Sequence, residues 1–212
     1  LKLILAEPGD TIKLESGLFP ILGTLSMEGK QDIVIKGSGM NGTILSFTNQ
    51  VEGAQALSIT NCNNIILEDF TIQDAKGDAI KCQYVNGLIF RRIKTQWLGG
   101  PSTQNGAYGL YPVQCENILI EHCVSIGASD AGIYVGQSNN IVVRYCEAFE
   151  NVAGIEIENS IDDSKFDISL SGSHLEVGIH DWLMGSISPI KQRMINLFKI
   201  ISSTNDEQDL TL

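Results

Sequence analysis

Asn64-Ile65-Ile66-Leu67-Glu68, Asn117-Ile118-Leu119-Ile120-Glu121 and Asn140-Ile141-Val142-Val143-Arg144 are three copies of one signature: an Asn, three aliphatic residues and a charge. Gly87-Leu88-Ile89-Phe90-Arg91 is a fourth copy and Asp32-Ile33-Val34-Ile35 a fifth. Successive copies start 32, 23, 30 and 23 residues apart, so the basic repeat is about 23 residues and two repeats carry insertions. A second segment recurs in the same phase: Ala56-Leu57-Ser58-Ile59, Ala79-Ile80-Lys81-Cys82, Gly109-Leu110-Tyr111-Pro112, Gly132-Ile133-Tyr134-Val135 and Gly154-Ile155-Glu156-Ile157. Each places apolar residues at alternate positions, as a half-buried strand requires. Two families of short strands sharing one period specify an all-β solenoid, a right-handed parallel β-helix with one coil per repeat. A β-sandwich would instead need hairpin turns between neighbouring strands and would hold no such period.

In such a solenoid, equivalent residues of successive coils lie one strand spacing apart, about 4.8 Å. Phe70, Ile93, Cys123 and Cys146 then form an interior stack, and Cys82 falls on the apolar side of the second strand. These cysteines read as buried thiols packing as small hydrophobes; a Cys123–Cys146 disulfide is the sterically conceivable alternative. Glu68, Arg91, Glu121 and Arg144 align as a ladder of alternating charge, each pair worth at most about 1 kcal/mol if exposed. Asn64, Asn117 and Asn140 align as an amide ladder at a turn.

One step further the pattern weakens. Adding 23 to 140 reaches Asp163, with Phe166 at an apolar position and Asp167 beside Arg144. Val177-Gly178-Ile179-His180 echoes Val152-Ala153-Gly154-Ile155-Glu156, which would place His180 after Glu156. The repeat ends near residue 181, giving a β-helix domain over 1–181 and a non-repeat tail over 182–212. In that tail Ser188 suits an N-cap and Pro189 a first helical turn. Ile190, Met194, Leu197, Phe198 and Ile201 recur at helical spacing. An amphipathic C-terminal helix capping the open solenoid end is expected, with docking to a protein partner or a membrane surface, or an extension foreign to the fold, as alternatives. Pro8-Gly9-Asp10-Thr11-Ile12 reads as the turn entering the first coil.

Composition agrees with this architecture. Only 18% of the 212 residues are charged and 21 are glycine, which suits a turn-rich β protein rather than a helical bundle. The formal charge of −11 excludes a nucleic-acid partner, whose phosphates need Lys and Arg. It also disfavours an acidic polysaccharide unless a cation or local basic patch intervenes. No run of apolar residues is long enough to span a membrane. Five Cys without a Cys-x-x-Cys pair argue against a zinc site or a closed disulfide framework.

The strand pattern, the Asn turns and the Pro8–Ile12 start together resemble the pectin-lyase-like superfamily of right-handed β-helices. Residues 5 to 160 look like bacterial secreted β-helix repeat proteins carrying similar Tyr-Gly-Leu-Tyr-Pro and Ala-Gly-Ile-Tyr-Val-Gly-Gln segments. Helices of this superfamily host lyases, hydrolases, epimerases and non-catalytic adhesins, so the resemblance implies a scaffold more than an activity. Tyr108-Gly109-Leu110-Tyr111-Pro112-Val113-Gln114 is also similar to the Tyr-Gly-Phe-Asp-Pro-His-Asp segment of mannuronan C5-epimerases, which supplies that family's catalytic Tyr, Asp and His. Only the Tyr, Gly and Pro carry over, at Tyr108, Gly109 and Pro112. Tyr111, Val113 and Gln114 stand where that family has Asp, His and Asp, which removes most of its acid–base set.

Along the second strand family the outward residues are Ser58, Lys81, Tyr111, Tyr134 and Glu156. A row of Tyr among amides suits sugar binding, because aromatic faces stack on pyranose rings while polar groups take hydroxyls. Lys81, Tyr108, Tyr111 and Tyr134 are therefore the candidate catalytic residues: Lys81 to neutralise a carboxylate, a tyrosine as acid or base in a β-elimination. Trp97, Gln114, Asp130, Gln137, Glu156 and Glu158 are the candidate substrate-binding residues, Trp97 through the inserted loop before Tyr108. No cofactor is required; Asp130, Glu156 and Glu158 could hold Ca²⁺ or flank a glycosidic bond. His122 falls on the other strand family and reads as structural. The reading that follows is a secreted or envelope β-helix (extracellular or periplasmic) that binds or modifies polysaccharide. The alternative is a non-catalytic structural or adhesive β-helix, with the tyrosines as a sheet-stabilising ladder.

Overall fold

The computed structural model describes residues 3–158 and 160, together with the backbone of 165–167 and 177–178. All regular structure among them is β-strand, and every pairing is parallel between one coil and the next. The first sheet stacks Thr11–Lys13, Gln31–Lys36, the leading halves of Asn63–Gln73 and Asn86–Gln96, Glu116–Glu121, Asn139–Arg144 and Lys165–Asp167. The second stacks Leu25–Glu28, Gln55–Thr60, Asp78–Gln83, Leu110–Val113, Ala131–Gly136, Ala153–Glu158 and Val177–Gly178. Register repeats at the expected intervals: Asn63 pairs with Asn86, Asn86 with Glu116, and Glu116 with Asn139. This is the right-handed parallel β-helix, the hand that parallel crossovers take almost without exception.

A third strand stack was not anticipated. It comprises Gly17–Pro20, Thr43–Ser46, the trailing halves of the two long strands, Val124–Ile126 and Glu147–Phe149. The long strands bend at Asp69 (φ 65°) and Arg92 (φ 50°), and the next coils bend at His122 (φ 54°) and Tyr145 (φ 53°). In these four coils one left-handed residue turns a single ribbon into two faces. A parallel column opens the first sheet, with Asp32, Asn64, Gly87, Asn117 and Asn140 at φ 51–77°. Asn, Asp and Gly are the residues that tolerate this conformation, which explains the repeated start of the signature. The Asn ladder forms in part as expected: Asn140 Nδ2 donates to Asn117 Oδ1 (2.6 Å), but Gly87 interrupts the column, so Asn117 Nδ2 donates to Asn86 Oδ1 (2.7 Å) and Asn64 Nδ2 to Asp32 Oδ1 (2.8 Å).

Inward residues of all three faces interlock in one column of core. Ile65, Leu67, Phe70, Ile72, Leu88, Phe90 and Ile93 are fully buried, each contributing about 1.5–3 kcal/mol relative to exposure. All five cysteines are buried free thiols, so the Cys123–Cys146 bridge is not formed. Burial pushes the Cys82 and Cys123 thiols well up, as expected of packing groups rather than nucleophiles.

The charge ladder is realised and gains a member. Lys36 Nζ pairs with Glu68 at 2.7 Å, Arg91 Nε with Glu121 at 2.6 Å, and Arg144 Nη2 with Glu121 at 2.5 Å. Burial would raise the Glu121 carboxyl, but the Arg91 and Arg144 guanidinium groups overcome it and hold it below its usual range. Asp167 pairs with Arg144 in the backbone register, as the repeat implied. The last coil departs from expectation: Glu156 pairs with Gly178, so His180 does not follow Glu156 in the column. The Pro8–Ile12 turn is present, with Gly9 at φ 92° and the Asp10 carboxylate accepting the Glu7 N–H at 2.9 Å.

Among the described residues no helix is long and apolar enough to cross a membrane. The C-terminal helix, its protein-partner role and the 182–212 tail lie outside the described residues.

Candidate functional site

The second sheet presents its outward face between two turns. Backbone pairing sets Ser58 beside Lys81, Lys81 beside Tyr111, and Tyr134 beside Glu156. Leu110 pairs with Ile133 and Val113 with Gly136, which brings Tyr111 alongside Tyr134. The insertion in the 30-residue coil lies between Gln96 and Leu110, and Tyr108 comes from its end. Three tyrosines from two coils therefore meet. Ring centroids are 4.6 Å apart for Tyr108–Tyr111, 4.8 Å for Tyr108–Tyr134 and 5.2 Å for Tyr111–Tyr134. Tilted and edge-on arrangements at these distances are the favourable ones for aromatic pairs. Lys81 Nζ stands 5.0 Å from the Tyr111 centroid, within cation–π range.

Carboxylates flank the rings. The Tyr134 hydroxyl donates to Glu158 Oε2, and Asp130 lies beside the Tyr108 hydroxyl. Burial raises all three phenols, Tyr108 and Tyr134 far above the usual tyrosine range. The neighbouring charges push the same way: Asp130 on Tyr108, Glu158 on Tyr134, and Asp78 with Glu158 on Tyr111. Protonated phenols beside carboxylates are hydrogen-bond donors. A tyrosine base requires the opposite, a phenol lowered by neighbouring cations.

Of the ten candidates, nine occupy this side of the molecule. Lys81, Tyr108 and Tyr111 are half-buried on the face, and Tyr134 is 8% exposed because its ring lies down over Gly136. Asp130, Glu156 and Glu158 are half-buried around it. Gln114 (φ 54°) sits exposed in the turn leaving the sheet, its Oε1 accepting from Gln83 Nε2 at 2.8 Å. Gln137 (φ 48°) occupies the same turn one coil on, at the rim and not among the rings. Trp97 is the correction. It is 5% exposed in the core, and its Nε1 donates to the Ala75 carbonyl at 2.6 Å, so its ring offers no face to a sugar. Among the described residues no group of three or more His, Cys, Asp and Glu is gathered to hold a metal ion.

Asp78 belongs to the face and was not anticipated. It pairs with Gln55 across the sheet, receives the Tyr108 N–H and lies near Lys81. Burial outweighs these partners and raises its carboxyl. The available signal was its place at the start of the Asp78–Gln83 strand, one coil before Tyr108.

A separate concavity of about 460 Å³ lies outside the first sheet, over Ile66, Ile89, Leu119 and Val142 and beside the Asn ladder. Another of about 390 Å³ opens at the N-terminal end, over Ile12, Leu14, Phe19 and Phe70. Neither is lined by the tyrosines.

Two solved structures are similar to part of this chain. One is a Parabacteroides merdae protein assigned as a glycosyl hydrolase, 8% identical, with 78% of this chain and 85% of that chain aligned at TM-score 0.45. The other is a pectin methylesterase variant in complex with a hexasaccharide, 12% identical, with 77% of this chain and 58% of that chain aligned at TM-score 0.38. At these identities the likeness concerns the fold alone. No curated protein matches the sequence. The family model described as the right-handed beta helix region matches residues 26–174, and the chain belongs to that family.

Proposed function

We propose that the protein binds polysaccharide on the outward face of its second sheet, with Tyr108, Tyr111 and Tyr134 as the platform. The observation that carries this reading is the convergence of three protonated tyrosine rings, flanked by carboxylates, on a partly exposed face. Aromatic edges and faces take the apolar sides of pyranose rings, and the phenols, carboxylates and Lys81 offer donors and acceptors to hydroxyls. On this reading the protein acts outside the cell or in its envelope.

Binding is favoured over a tyrosine-driven elimination. An elimination needs a base, and all three phenols are raised. Titrating soluble glycans by calorimetry into wild type, Tyr111→Ala and Tyr111→Phe tests the reading. Tyr111→Ala is expected to lose at least tenfold in affinity, about 1.4 kcal/mol. Tyr111→Phe, which keeps the ring, is expected to retain most of it. Equal binding by Tyr111→Ala would move the site elsewhere; no binding by wild type would leave the tyrosines as a structural ladder.

A further inference from the structure

We propose that the tyrosine face selects glycans by charge: amino-bearing sugars best, neutral sugars next, uronates least. This rests on the glycan-binding reading above and names the ligand class for it. The outward columns of the second sheet hold Gln55, Asp78 and Tyr108; Ser26, Ser58, Lys81, Tyr111, Tyr134 and Glu156; and Glu28, Thr60, Gln83, Val113, Gly136 and Glu158. Among these described residues Lys81 is the one cation. It stands over the Tyr111 ring and faces Asp78. Around the rings are four carboxylates: Asp78, Asp130, Glu156 and Glu158.

A uronate would bring its own charge against that set, with no guanidinium fork to receive it. The cations of the neighbouring face, Lys36, Arg91 and Arg144, are held in the ladder with Glu68 and Glu121. An ammonium on a hexosamine meets the reverse situation. Glu158 keeps acceptor capacity after taking the Tyr134 hydroxyl, since a carboxylate offers about four lone-pair sites. The chain's formal charge of −11 pulls the same way at long range. Lys81, on this account, fixes the platform ring and does not clamp a substrate carboxylate.

The test uses three tetrasaccharides of matched length, from glucosamine, N-acetylglucosamine and galacturonate, titrated calorimetrically at low and high salt. At low salt the glucosamine oligomer is expected to bind at least tenfold tighter than the galacturonate oligomer, with the gap closing as salt rises. Asp130→Asn with Glu156→Gln is expected to narrow the gap by raising galacturonate affinity relative to glucosamine. Galacturonate binding as tight as glucosamine in the wild type would overturn the charge selection while leaving the platform in place. Failure of all three to bind would overturn the glycan reading itself, and this inference with it.

Discussion

A methyl group added at Gly136 would stand 2.6 Å from Cε1 and 3.1 Å from the hydroxyl oxygen of Tyr134. The backbone at Gly136 is ordinary extended strand, so alanine itself is accommodated, and it is the far end of the Tyr134 ring that must yield. Once the ring swings, its hydroxyl leaves Glu158. A hydrogen bond to a carboxylate is worth about 1.5–3 kcal/mol, and because Glu158 is only partly buried the lower end applies. Gly136→Ala should therefore cost about 1.5 kcal/mol, and Tyr134→Phe, which deletes the same bond, about the same. The two act through one contact, so the double variant should cost about 2 kcal/mol, a coupling near 1 kcal/mol. Urea unfolding followed by circular dichroism reads these values, with unchanged m confirming that each variant stays compact. Glycan titration of Gly136→Ala should show the platform weakened in a protein that is still folded. Additive costs, within about 0.4 kcal/mol, would refute the reasoning that Gly136 exists to seat Tyr134.

Three further outcomes are expected. Glu121→Gln should destabilise the helix by about 2 kcal/mol, between the values for exposed and buried pairs, because Glu121 is 6% exposed while Arg91 and Arg144 are half-exposed. Since the Glu121 carboxyl is held low, its contribution is present above an unfolded value near 4.3 and is lost as pH falls below it; the Gln variant should show a shallower loss of urea midpoint on acidification. At the alkaline end Tyr108 and Tyr134 are raised, so their contribution is complete below about pH 10 and is lost as pH rises further. Replacing both by Phe should leave the phenolate absorbance gained up to about pH 11 unaltered, and a reduced gain would contradict the burial assigned to them. Asn117→Ala should cost about 2 kcal/mol in urea unfolding, losing both amide bonds and straining a residue at φ 55°. Asn117→Gly, which keeps the conformation, should cost less; equal losses would assign the whole effect to the amides.

The coil period, the Asn ladder, the charge ladder and the Phe70–Ile93–Cys123–Cys146 stack were all legible in the sequence, because each arises from identical positions repeating at a fixed interval. The third strand stack was not. Its strands are three or four residues long and in the middle coils follow a bend at one left-handed residue, so Asn86–Gln96 reads as one segment. Trp97 was misplaced for a related reason. It immediately follows Gln96, so it belongs with the end of the third face, where the indole fills the core. An aromatic at the start of an insertion reads instead as part of the loop. Asp78 escaped notice because its significance depends on Tyr108, which only the coil register brings beside it. His180 was misaligned because the last coils shorten: Tyr134 pairs with Glu156, and Glu156 with Gly178, each 22 residues on. The tyrosine row itself was readable from alternation and period, whereas the direction of the phenol shifts required the burial of the rings and the positions of Asp130 and Glu158.

A crystal structure of the wild-type protein soaked with a glucosamine tetrasaccharide tests the central claim most directly. Sugar density is expected over the outer surface of the Tyr108–Tyr111–Tyr134 cluster, with the amino groups toward Asp130, Glu156 or Glu158. Density over Ile66, Ile89 and Leu119 on the first sheet, with the tyrosine face bare, would contradict it.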